Sequence, residues 1–145
     1  MRTYYAFIVN EYFAGFYQSK PSSLYKIFEQ IYDLGPNDIV LGYRIFEQLA
    51  TPFNKDHINE YIYNKHSGEL SYSKNQNKHL INNIYFSEIS KIIVYNSHLK
   101  IKSNINYPTF IETIRDFEEN IFICDFINKD YFWLDKIKND SLVKN

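Results

Sequence analysis

The sequence predicts an α/β fold, a single domain over 1–145 in which helices flank a mixed central β-sheet of about five strands. Two continuous apolar runs rich in β-branched and aromatic residues lie near opposite ends of the chain, Tyr4–Val9 and Ile121–Phe126. Each is short, free of breakers and reads as a buried strand. Between them apolar residues recur at helical spacing, and pairing the two strands at the sheet centre beneath those helices is the simplest way to bury both. At 145 residues there is length for one core.

The elements follow in order. Residues 3–9 form the first strand, and Asn10 then caps a short helix whose first turn carries Glu11. Gly15 and the cluster Ser19-Lys20-Pro21-Ser22 keep that helix short. A second helix starting at Ser22 or Ser23 puts Leu24, Ile27, Phe28 and Ile31 on one buried face, and Gly35-Pro36 ends it. Pro36-Asn37-Asp38 opens a third helix running to Ala50, with Pro52 as its stop. Ile39, Tyr43, Phe46 and Ala50 make its expected core stripe; Leu41, Arg44, Ile45 and Gln48 lie opposite on a mixed face.

A fourth helix over 55–65, capped by Asn54, carries Ile58, Tyr61 and Ile62 and stops at Ser67-Gly68. Leu70 and Tyr72 alternate with Ser71 and Ser73 like a short strand, 74–78 is loop-like, and 80–86 fit helix or strand. Ile92–Tyr95 and Leu99–Lys102, joined around Asn96-Ser97, read as a β-hairpin with its lysines outward. Thr109–Glu119 is an amphipathic helix on Phe110, Ile111, Ile114 and Phe117. After the second apolar strand, a turn at Asn128-Lys129-Asp130 returns Tyr131–Leu134 beside it, and the polar tail from Lys136 is expected to fray.

Composition narrows the function. Aromatics make up 19% of the chain, with 14 Tyr and 12 Phe, enough to fill a core and leave rings outside, which excludes intrinsic disorder. A formal charge of −1 lacks the basic footprint of a protein that holds nucleic acid mainly by neutralising phosphates. No apolar run is long enough for a membrane span, and the N-terminal residues have no apolar h-region. The lone Cys124, inside an apolar run, is expected to be a buried small hydrophobe. The expectation is a cytoplasmic protein that touches neither nucleic acid nor membrane directly.

Little in the chain points to catalysis. His57, His66, His79 and His98 are scattered through polar surroundings without zinc-ligand spacing and read as surface residues. The four glycines are isolated, no serine stands in a nucleophile elbow, and no cofactor motif is present. Asp125 follows a buried strand, where α/β enzymes place their chemistry, so a small-molecule enzyme built on it is the alternative reading. A third reading uses Lys100 and Lys102 of the 91–102 hairpin as a nucleic-acid contact.

The segment 10–18 has a different character. Tyr12, Phe13, Phe16 and Tyr17 form two adjoining i,i+4 stripes within two helical turns. A helix docked on a sheet buries about 100° of its circumference, and the two stripes cover more than that. Surplus rings at a surface are the usual anchors of protein–protein interfaces.

Tyr4-Tyr5 through Phe7-Ile8, then Glu11, Phe13-Ala14, Tyr17 and Phe28, with Asp125-Phe126, Asp130-Tyr131 and Trp133-Leu134 near the end, resemble the SirA family, the sporulation inhibitors of replication. The resemblance implies a small non-enzymatic α/β protein without cofactors that binds the N-terminal domain of the replication initiator DnaA and so restrains replication. It implies aromatic contacts from the first helix at Phe13 and Tyr17, completed by a neighbouring helix around Ile45 to Gln48. Phe16, Gln18 and Arg44 extend the expected contact set.

Overall fold

A computed structural model describes residues 1–135. The elements run β1 (Arg2–Val9), α1 (Glu11–Tyr17), α2 (Pro21–Tyr32), a 3-10 turn (Pro36–Asp38), α3 (Ile39–Leu49), β2 (Ala50–Thr51) and α4 (Lys55–His66). They continue with β3 (Tyr72–Asn75), β4 (Lys78–Asn83), β5 (Glu88–Val94), β6 (Leu99–Ser103), α5 (Thr109–Ile114), β7 (Ile121–Asp125) and β8 (Asp130–Trp133).

The α/β class is as expected, and the two apolar runs do pair: β1 lies against β7 with Tyr5 opposite Cys124 and Ile8 opposite Ile121. The sheet is larger than expected. Eight strands follow the order β3-β4-β5-β6-β1-β7-β8, with β2 on the end of β1. Every pairing is antiparallel, so the sheet is not the mixed one expected. The pairs β3-β4, β4-β5, β5-β6 and β7-β8 are joined by short turns, which only antiparallel neighbours allow, and β1 runs against β2, β6 and β7 alike. The segment 80–86 resolves into the end of β4 and the turn before β5.

Alternation along the strands gives the sheet two apolar faces. Tyr4, Ala6 and Ile8 of β1 join Ile92, Leu99, Ile101 and Ile123 in a core completed by Ile58 and Ile62 of α4 and Phe110 and Ile114 of α5. Phe7 and Val9 join Phe122 and Cys124 on the other face, where Ala14, Leu24, Tyr25, Phe28 and Leu49 from the first three helices close over them. Cys124 is buried as expected, and burial pushes its thiol up. The N-terminus of α5 is capped from a neighbouring strand. Buried Glu88 accepts from Thr109 N at 3.0 Å and from Thr109 Oγ1 at 2.6 Å, a carboxylate at the positive end of the helix.

Three expectations need correction. In α3 the inward side is Gly42, Phe46 and Leu49, while Ile39 and Tyr43 are exposed. Gly42 sets this phase: a Cβ there would lie 2.1 Å from Leu34 Cδ1, so the bare backbone is the point of closest approach and its large neighbours are turned outward. The last helix, expected to run to Glu119, is regular only to Ile114. The third concerns the histidines: only His57 is exposed. His79 occupies an inward position of β4 and is fully buried, bonded to Tyr72 Oη at 2.7 Å and to Asn59 Oδ1 at 2.8 Å. His66 is buried between Glu69 and Thr113, and His98 is half-buried beside Ser97. Polar neighbours in sequence do not make a surface site when the strand alternation turns the ring inward. The tail from Lys136 lies outside the described residues.

Candidate protein-docking surface

Asn10 caps α1 as expected: its Oδ1 accepts from Tyr12 N at 3.0 Å. The four rings of this helix separate into two layers. Phe13 and Tyr17 are partly buried and pack against the core beneath α1, where Ala14 is the one fully buried residue. Tyr12 and Phe16 face outward, 77% and 57% exposed. Each outer ring meets an inner one edge-on, Tyr12 with Phe13 at 5.3 Å between centroids and Phe16 with Tyr17 at 4.9 Å. Trp133 Nε1 donates to the carbonyl of Tyr17 at 3.3 Å and ties the helix to β8. Lys20 lies over the Phe16 ring at 4.6 Å. The inner pair therefore orients the outer pair, and the outward faces of Tyr12 and Phe16 meet no core residue.

The third helix adds a second apolar surface. Val40, Leu41, Tyr43 and Ile45 are exposed together with Arg44 and Gln48. The backbone N–H of Asn10 donates to the carbonyl of Leu49 at 2.6 Å, and Val9 pairs with Ala50, so the start of α1 meets the end of α3. Of the expected contact residues, Phe16, Arg44, Ile45 and Gln48 are exposed, while Phe13, Tyr17 and Gln18 are partly buried.

Sequence reasoning missed one feature of this region. A groove of about 320 Å³ runs between α2, α3 and the sheet, lined among others by Phe28, Ile39, Tyr43, Phe46 and His98. Burial, aided by Lys100, holds the His98 ring neutral by lowering its pKa to about 4. The run Ile39-Val40-Leu41 was the available signal: three adjacent large apolar residues cannot all reach one core from a helix.

The rival centre at Asp125 has a structural occupation. The carboxylate is 1% exposed and both oxygens are bonded: Arg2 Nε donates to Oδ2 at 2.6 Å, Asn128 Nδ2 to Oδ2 at 2.8 Å and Asn128 N to Oδ1 at 3.1 Å. Burial opposes ionisation, but the bonds from Arg2 and Asn128 outweigh it and hold the carboxyl below its usual range. Arg2 also reaches Asp130 at 2.5 Å and Asn106 at 2.8 Å, clamping the start of β1 to the β7–β8 turn. Among the described residues no group of His, Cys, Asp and Glu is placed to hold a metal ion.

Fold and surface together define the class: a small single-domain α/β protein whose two adjoining helices display an apolar, aromatic face. A family model described as sporulation inhibitor of replication protein SirA matches residues 2–138, and the chain belongs to that family. No curated protein matches the chain. No helix among the described residues is long and apolar enough to cross a membrane.

Proposed function

We propose that this chain is a non-enzymatic, cytoplasmic inhibitor of replication initiation that binds the N-terminal domain of the initiator DnaA through the exposed sides of α1 and α3. The observation that carries the reading is the two-layered α1, whose outer rings Tyr12 and Phe16 meet Phe13 and Tyr17 edge-on and stay 77% and 57% exposed, with only the flexible Lys20 side chain over Phe16 among the described residues. Large rings of fixed orientation lose little conformational freedom on docking and are frequent interface hot spots. Tyr12 and Phe16 supply the outer aromatic contact with the partly exposed sides of Phe13 and Tyr17 beside them, Ile45 the apolar contact on α3, and Gln18, Arg44 and Gln48 a polar rim. Family membership in the sporulation inhibitors of replication supports the direction of the effect, and the closed bonding of Asp125 disfavours the enzyme reading.

Isothermal titration of the initiator's N-terminal domain tests this. Truncating a hot-spot ring to Ala is expected to cost about 2 kcal/mol or more, about thirtyfold in affinity. Tyr12→Ala, Phe13→Ala, Phe16→Ala and Tyr17→Ala variants that all bind like the parent would remove the proposal.

A further inference from the structure

The helices cover the two sheet faces unequally. On the face where α1, α2 and α3 sit, they close over Phe7, Val9, Phe122 and Cys124, on the β1-β7-β8 side of the sheet. The same face continues across β6, β5 and β4, and there Leu80 and Ile89 are exposed. Residues opposite one another in an antiparallel ladder share a face, so this half carries two rows: Thr3, Lys102, Lys91 and Leu80, then Tyr5, Lys100, Ile93 and Lys78. Lys91 and Lys102 are direct cross-strand partners, an arrangement of like charges that destabilises a sheet. None of the four lysines enters an ion pair among the described residues. The net charge of −1 averages over this segregation and hides it.

Rings border the lysines on one side. A shallow groove of about 200 Å³ is lined by Tyr5, Tyr32, Phe126, Lys100 and Lys102. Tyr32 stacks on Phe126 with centroids 4.3 Å apart and planes at 14°, and remains 51% exposed. Lys100 lies 5.7 Å from the centre of the Tyr5 ring. The acidic residue at this end, Asp33, follows Tyr32 at the close of α2.

We propose that this open half-sheet binds single-stranded nucleic acid, with Lys78, Lys91, Lys100 and Lys102 along the phosphates and Tyr32 against a base. An unpaired lysine cluster calls for an anionic partner, and the adjoining rings choose among such partners: an acidic peptide needs only the charge, whereas a single strand uses both charge and stacking. The surface lies on a different part of the sheet from the outer rings of α1, so the inference is independent of the docking function proposed above.

Fluorescence anisotropy of a labelled oligo-dT with the full chain tests it. Binding is expected at about 50 mM salt, weakening with a log–log slope of roughly −3, since each of the four lysine–phosphate contacts contributes about −0.7 on single strands. Lys102→Glu places a carboxylate opposite Lys91, so its melting temperature is expected to hold or rise while affinity falls about tenfold or more. Tyr32→Ala is expected to weaken binding about fivefold or more with the salt slope unchanged, because stacking releases no counterions. Tyr12→Ala is expected to leave oligo-dT binding as in the parent. The proposal is overturned by absence of binding at low salt or by a Lys102→Glu variant that binds like the parent. It is equally overturned if poly-glutamate or phosphatidylglycerol vesicles bind as tightly as oligo-dT and Tyr32→Ala is neutral, which would assign the lysines to an acidic protein or a lipid surface.

Discussion

Asn10 and Leu49 are joined backbone to backbone at 2.6 Å, and the side chain of the same Asn10 caps α1. One residue thus terminates β1, starts the aromatic helix and holds the end of α3. The exposed rings of α1 and the apolar side of α3 are carried by a shared backbone junction rather than by a flexible linker, and a surface so held loses little freedom on docking.

The cap can be separated from the junction. Asn10→Ala removes the bond to Tyr12 N but leaves the backbone bond to Leu49. Stability in urea is expected to fall by about 1 kcal/mol, the usual cost of a lost N-cap. Affinity for the initiator domain is expected to fall by less than for a ring truncation.

Inner and outer rings of α1 should behave differently. Tyr12→Ala and Phe16→Ala are expected to leave stability within about 0.5 kcal/mol, as surface changes do. Phe13→Ala and Tyr17→Ala are expected to destabilise by roughly 2 kcal/mol, about half the cost of emptying a full core site. Thermal melts beside the binding titrations check the split, and equal destabilisation by all four would contradict the two-layer arrangement.

The clamp from Arg2 to Asp125 gives an acid limb with a definite sign. Because the folded Asp125 carboxyl lies below its ordinary value of 3.8, its contribution is fully present above that pH and is lost as pH falls through the lower folded value. Arg2→Met breaks a largely buried pair and is expected to cost about 3 kcal/mol at neutral pH and to flatten that limb. Denaturation curves from neutral pH into the acid range provide the measurement.

His79 acts in a higher window. Burial, with smaller contributions from Lys74 and His66, lowers its pKa from 6.5 to about 4. The unfolded chain therefore binds the proton first, and stability present above pH 6.5 is lost progressively as pH falls towards about 4. The expected loss is on the order of 3 kcal/mol, and His98 works in the same direction. A ring-proton NMR titration of folded protein giving an ordinary midpoint for His79 would contradict its burial between Tyr72 and Asn59.

Much of this architecture was legible in the residue order because it rests on local periodicity. The runs that became β1 and β7, the caps at Asn10 and Asn54, and the inward Ile58 and Ile62 of α4 each follow from patterns a few residues long. The histidines were misread for the opposite reason. The chain around His79 supports helix or strand, and only pairing with Ile92 of β5 turns that ring inward beneath α4. The phase of α3 was likewise invisible, since it depends on the close approach of Gly42 to Leu34 in the connection that follows α2.

By itself the chain specified an α/β domain and a first helix with more rings than one side can bury, because hydrophobic period and ring count are properties of adjacent residues. Which rings face outward, which lysines become neighbours and whether Asp125 is open or clamped were decided only in three dimensions. Each depends on groups more than 10 residues apart, as with Lys78 and Lys100 on either side of Ile93 or Arg2 and Asp125, and no local pattern encodes where a distant strand or guanidinium will lie.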